Sequence, residues 1–233
     1  MQQLPLGISL KPGISFDSFI LGGNAQAVSS LQDCIRGDGE SFIFLWGGSG
    51  IGKTHLLQSA CRQAGDLGQA AAYIPLRQAA DLAPAIFEDL DRLGLLCLDD
   101  VEQIAGNPAW EQALFNLFNR LMARKARLLV TADRSPAGLG LALPDLASRL
   151  SWGLNYRLQP LSEEDRFEGL LKKAAERGLK MPEETARYLL RRCPRDTGTL
   201  LDILDRLDRA SLAAQHRLTI PFVRTHLGPD FKS

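Results

Sequence analysis

The sequence predicts an α/β fold: a parallel sheet between helices, followed by a small all-helical domain. Three observations carry that expectation. From Ser41 onward, strand-like apolar runs alternate with helix-like segments. A glycine-rich stretch joins the first of those runs to the first helix. After Pro160 the apolar residues recur only at helical spacing. The chain of 233 residues, 45% hydrophobic and 23% charged, is long enough for one large domain or two smaller ones with cores of their own.

The first strand signal is SFIFLW, a short apolar run ending on glycines. IGKTHLLQSACRQAG reads as a helix that stops near Gly65, and AAAYIPL as a strand. DLAPAIFEDLDRLG has a helical pattern, and LLCLDD is a buried strand that ends in two acids. In NPAWEQALFNLFNRLMARK, Asn107 can cap a helix and Pro108 suits its first turn. Trp110, Leu114, Phe118 and Leu121 then mark one face. RLLVTAD and YRLQPL are further strands. Strands that alternate with helices imply a parallel sheet covered on both faces. Beyond it, Ser162 and Asp165 form a capping-box pattern for a helix ending at Gly178. PEETARYLLRRC, TGTLLDILDRLDRASLAAQ and the short TIPFVRTHL follow as helices, and no strand is expected among them.

Lys plus Arg total 27 and Asp plus Glu total 27, so the formal charge is zero, unlike that of a strongly basic nucleic-acid binder. Cys34, Cys61, Cys97 and Cys193 form no CxxC pair, which suggests a reducing, cytoplasmic setting. Cys97 lies in an apolar run and is expected to pack as a small hydrophobe. No apolar run approaches the ~18 residues that span a bilayer. The opening QQLPLGISL lacks a basic n-region and is broken by Pro5 and Gly7, so it does not read as a secretory signal.

The strongest motif is GGSGIGKT, formed by Gly47, Gly48, Ser49, Gly50, Ile51, Gly52, Lys53 and Thr54. It fits G-x-x-x-x-G-K-[ST] and lies after a strand and before a helix, where a phosphate-binding loop must lie. Its glycines let backbone N–H groups turn inward, and the following helix points its positive end at an anion. Lys53 would neutralise the β and γ phosphates of ADP or ATP, and Thr54 would ligate Mg²⁺. LLCLDD then delivers Asp99, suited to the Mg²⁺ water shell, and Asp100, suited to orienting an attacking water. LLVTADRSP places Asp133 at a strand end beside the expected γ-phosphate edge. Arg149 lies on a short helix in LPDLASRLSWG, where an arginine taken alone reads as a surface charge.

Taken in order, FDSFILGGNAQAV (16–28), LWGGSGIGKTHLL, LLCLDD, LLVTADRSP and LPDLASRLSWG resemble the AAA+ ATPases, and more narrowly the DnaA family with its short Hda group. The resemblance runs over nearly the whole chain. It implies an AAA+ P-loop NTPase core at 14–159 and a helical lid at 160–233. It makes Asp133 a sensor 1 residue and Arg149 an arginine finger acting on nucleotide held by a neighbouring subunit. Such a finger is worth roughly 10³–10⁵ in rate, or ~4–7 kcal/mol of barrier.

Two departures from the family pattern shape the expected function. The family places a sensor 2 arginine where this chain has Gly198, with Arg195 three residues earlier as a substitute candidate. Weak or absent turnover of the chain's own nucleotide is therefore expected, with ADP as resident ligand. The chain also ends at THLGPDFKS, directly after the lid, without the initiator's DNA-binding helix-turn-helix domain. The Hda plan implies a DnaA-related regulator that stimulates hydrolysis by the initiator and so prevents re-initiation. It further implies a flexible clamp-binding peptide at 1–13. Gln3, Leu4 and Leu6 match the family's sliding-clamp pattern: the glutamine bonds the pocket rim and the leucines fill an apolar cleft. The clamp would bring the protein to DNA indirectly. An autonomous AAA+ ATPase such as a helicase loader is the competing reading, while a small-molecule P-loop kinase leaves LPDLASRLSWG and the lid unexplained.

Overall fold

The structure is a computed structural model that describes residue 10 and residues 13–81, 83–193, 197–214 and 218–227. The chain divides into two compact units: one of residues 1–19, 24–48 and 53–158, the other of 20–23, 49–52 and 159–233. Among the described residues, no helix is long and apolar enough to cross a membrane.

The first unit is a five-stranded sheet with order β2-β3-β4-β1-β5 and every pairing parallel. Its strands are β1 (Phe42–Trp46), β2 (Ala71–Pro75), β3 (Leu95–Asp99), β4 (Arg127–Ala132) and β5 (Leu154–Arg157). The helices are α1 (Ala25–Arg36), α2 (Lys53–Asp66), α3 (Pro108–Ala123) and α4 (Pro144–Ser151). β3 is buried along its whole length, as a central parallel strand must be, whereas edge strand β5 alternates between half-buried and exposed positions. The period-2 pleat splits the core. Phe42, Phe44, Leu96, Leu98, Leu128 and Val130 join Leu114, Phe118 and Leu121 of α3 and Leu146 and Leu150 of α4 in one cluster. Ile43, Leu45, Leu95, Cys97 and Leu129 point to the other face and are fully buried, where α2 packs on the sheet and α1 packs on α2.

The expected caps are present: the Asn107 side chain accepts from the Ala109 and Trp110 N–H groups at 3.2 and 3.4 Å. One expected helix is not. In DLAPAIFEDLDRLG the chain forms two short 3-10 turns, Pro84–Phe87 and Leu90–Arg92. Asp89 between them takes a left-handed φ of 61°, which an α-helix cannot continue through, and the turns bury Phe87 and Leu90. The last strand also begins earlier than YRLQPL suggests, at Leu154.

All four cysteines are free and buried. Burial pushes the thiols of Cys34 and Cys193 up to about 11.

The second unit contains α5 (Glu163–Glu176), α6 (Glu183–Arg192), α7 (Thr197–Ala214) and α8 (Ile220–Leu227), with no strand among its described residues. Its core gathers Phe167, Leu170, Ala186, Leu189, Leu204 and Leu207. The capping box of α5 forms as read: Ser162 Oγ accepts from the Asp165 N–H at 3.0 Å, and Asp165 Oδ2 accepts from the Ser162 N–H at 3.0 Å. Gly169 inside α5 has a packing reason. A Cβ there would stand 2.7 Å from both Cδ1 and Cγ2 of Ile20, and Cγ2 sits on a branched, stiff stem. Helix propensity alone predicts a gain of ~1 kcal/mol for Gly169→Ala, but overpacking costs ~1–3 kcal/mol. The variant should therefore melt below wild type; an unchanged or raised melting temperature would refute this packing constraint.

Candidate functional site

The C-terminal ends of β3, β4 and β1 lie side by side because the pairings run Leu98↔Val130 and Trp46↔Ala132. The loops that follow them therefore bring the motif residues to one edge of the sheet, where open α/β folds bind ligands. Gly50 and Gly52 take φ of 71° and 101°, backbone conformations that side chains disfavour. Lys53, the first residue of α2, is buried. Its ammonium donates to the carbonyls of Gly47 at 2.6 Å and Gly48 at 2.9 Å. Among the described residues no carboxylate forms an ion pair with it, so a dry positive charge stands at the loop.

Asp99 is the hub of the edge. Its Oδ2 accepts from Thr54 Oγ1 at 2.7 Å and from the Tyr73 phenol at 2.7 Å, and its Oδ1 accepts from Thr131 Oγ1. Burial, reinforced by the Asp99 carboxylate, pushes the Tyr73 phenol far up, so it remains a neutral donor. Thr54 and Asp99 offer only oxygen, the donor set a hard cation requires. Two protein oxygens suit Mg²⁺, which keeps several waters and takes the rest of its shell from substrate phosphate.

Asp100 sits in the left-handed region at φ 59°, ψ 54°, and its N–H donates to Thr131 Oγ1 at 3.0 Å. Its carboxylate pairs with Arg77 Nε. Burial and the neighbouring Asp99 raise its pKa, and Arg77 opposes the rise. Asp133 donates its N–H to Glu102 Oε2 at 3.2 Å. Both its carboxylate oxygens are held by Arg134, at 2.7 and 2.6 Å, and this pairing lowers its pKa. Burial raises Glu102.

Arg149 lies in the last turn of α4, exposed, and no described residue pairs with it. The chain leading into α4 is tied down by Glu111, a fully buried carboxylate on α3. Glu111 Oε1 accepts from the N–H groups of Gly106 at 2.6 Å and Ala142 at 3.1 Å, and Oε2 from that of Leu143 at 2.7 Å. Gly198 is exposed near the start of α7. Arg195 and the peptide residues Gln3, Leu4 and Leu6 lie outside the described residues.

Sequence reasoning missed Tyr73, Arg77, Glu102, Glu111 and Thr131. One of these left a signal: Thr131 is a hydroxyl inside an apolar strand.

A lysine-bearing loop at a helix N-terminus, a hydroxyl–carboxylate pair beside it and a separate helical unit define the class: an AAA+-type P-loop domain with a helical lid. Residues 10–157 match the model of the bacterial DnaA ATPase domain, and residues 163–227 match that of the Hda lid domain. The chain belongs to the bacterial DnaA ATPase family and is a DnaA-related regulator with an Hda-type lid. Domain III of the Thermotoga maritima replication initiation protein DnaA is 24% identical, with a TM-score of 0.77, over 97% of this chain and all of that one. A replication initiator DnaA bound to AMPPCP and single-stranded DNA is 23% identical, TM-score 0.72, over 89% of this chain and 70% of that one. The Thermotoga maritima RuvB Holliday junction branch migration motor shares the fold at 18% identity, TM-score 0.66, over 92% of this chain and 71% of that one.

Thr131→Val keeps the shape but removes a donor to the Asp99 carboxylate and an acceptor for the Asp100 N–H. Losing a hydrogen bond to a charged group and orphaning a buried N–H should together cost on the order of 3 kcal/mol, read by urea denaturation. A loss below about 0.5 kcal/mol, the scale of a surface substitution, would show that the hub is not held this way.

Proposed function

We propose that this protein binds ADP or ATP with Mg²⁺ at Gly47–Thr54 and Asp99, and that it stimulates ATP hydrolysis by DnaA through Arg149. The observation that carries the reading is the exposed Arg149, with which no described residue pairs, on an otherwise well-anchored element of a DnaA-family domain. A guanidinium without a carboxylate of its own is free to stabilise charge on a phosphate presented by a neighbour. Nucleotide binding is supported by Lys53 and the Thr54–Asp99 pair, and by DnaA relatives whose structures carry AMPPCP.

The chain's own turnover is proposed to be slow. Asp100, the candidate for orienting water, is engaged by Arg77. Asp133, the sensor 1 candidate, is engaged by Arg134. Gly198 stands where the family places an arginine. The nucleotide then serves to hold the domain in its working form. Gln3, Leu4 and Leu6 are proposed to dock on the DNA polymerase III sliding clamp. Clamp docking would concentrate the protein at replicated DNA, in a cytoplasmic, replisome-associated setting, and ADP-bound initiator could not fire again.

The test is phosphate release from ATP-loaded DnaA with DNA-loaded clamp. Arg149→Ala should reduce the stimulated rate by roughly 10³-fold or to background, and Leu4→Ala with Leu6→Ala should remove the clamp's contribution. Lys53→Ala should lose nucleotide affinity while the chain stays folded. Full stimulation by Arg149→Ala would sink the finger. Turnover by the chain alone at many cycles per minute would favour an autonomous ATPase.

A further inference from the structure

Trp152, next to the end of α4, is 59% exposed. An exposed apolar side chain is ordinary; what distinguishes this one is how it is held. Its N–H donates to the Arg149 carbonyl at 3.1 Å, and its ring lies 6.5 Å from that of buried Phe118, tilted by 50°. Gly153 follows at φ +78°, and a Cβ there would stand 2.6 Å from the Phe42 carbonyl oxygen, a backbone atom. That turn admits only glycine without moving the sheet. At its other end α4 is held by Glu111 through the Leu143 N–H. The element is thus pinned at both ends, and it presents an aromatic and a cation with which no described residue pairs. From Leu146 to Tyr156 the sequence has no charged side chain except Arg149.

Trp and Arg are the side chains that dominate binding energy at interfaces, and a rigid mount lowers the entropy lost on docking. A segment whose one cation between Asp145 and Arg157 is Arg149 is a poor match for a nucleic acid or an anionic membrane, both of which need several. It does match a single phosphate group at the rim of a neighbour's nucleotide site. We infer that Trp152 and Arg149 form one docking face for a nucleotide-loaded DnaA subunit, with Trp152 as the apolar anchor and Arg149 as the reaching cation. The identity of that subunit rests on the finger reading above.

The experiment measures binding of the full chain to full-length DnaA loaded with AMPPCP, by calorimetry, beside stimulated phosphate release from ATP-loaded DnaA. Trp152→Ala should weaken binding about tenfold or more, the loss expected of an anchor, and raise the half-saturating concentration while the plateau rate stays near wild type. Arg149→Ala should collapse the plateau rate. Trp152→Phe, which keeps an aromatic ring beside Phe118, should fall between wild type and alanine, and serves if the alanine variant melts early. Equal affinity for wild type and both Trp152 variants overturns the face even if Arg149→Ala is inactive. Trp152-dependent binding without stimulation retains the face and rejects the finger. Absence of wild-type binding, or an effect of Trp152→Ala on self-association only, overturns the proposal; the latter assigns the face to copies of this chain.

Discussion

The sheet edge depends on one carboxylate. Asp99 is almost wholly removed from water, and a buried carboxylate is tolerable only when its oxygens are met by donors. Here three hydroxyls from three elements meet it: Thr54 of α2, Tyr73 of β2 and Thr131 of β4. Each ties its own element to β3. The phosphate-loop helix is thereby held to the sheet by the same group that suits a metal's water shell, so structure and candidate chemistry share one anion. Thr131 extends the arrangement by accepting from the Asp100 N–H, which secures the left-handed turn after β3.

The acids around this hub are individually answered. Arg77 answers Asp100, Arg134 answers Asp133, and a backbone N–H answers Glu102. Lys53 rests on carbonyls. Cation and anion are thus matched locally at the chain's own site. On α4 no described residue pairs with the exposed Arg149, while Glu111 holds the chain where it enters the helix. This contrast in local charge matching is the observation on which the proposal for Arg149 rests.

Much of this was legible in the sequence because local chemistry decided it. The glycines and Lys53 announced the loop, the apolar runs announced central parallel strands, and Asn107 and Ser162 announced helix starts that the hydrogen bonds confirm. The failures were tertiary. DLAPAIFEDLDRLG has helical periodicity, but Asp89 takes a left-handed turn that buries Phe87 and Leu90 instead. Tyr73, Arg77 and Glu111 are ordinary residues of strand, turn and helix until the fold brings distant partners to them. Glu111 in particular reads as one more charge on a helix, and its partners, the N–H groups of Gly106, Ala142 and Leu143, are brought to it by the fold.

The buried cysteines carry a consequence of another kind. With thiols pushed to about 11, Cys34 and Cys193 keep roughly one molecule in 10⁴ as thiolate at neutral pH. Alkylation in the native state must then wait for local opening. Cys34 belongs to the sheet unit and Cys193 to the helical one. The two sulfurs are thus a pair of built-in clocks, and their separate labelling rates time the breathing of each unit without any added probe.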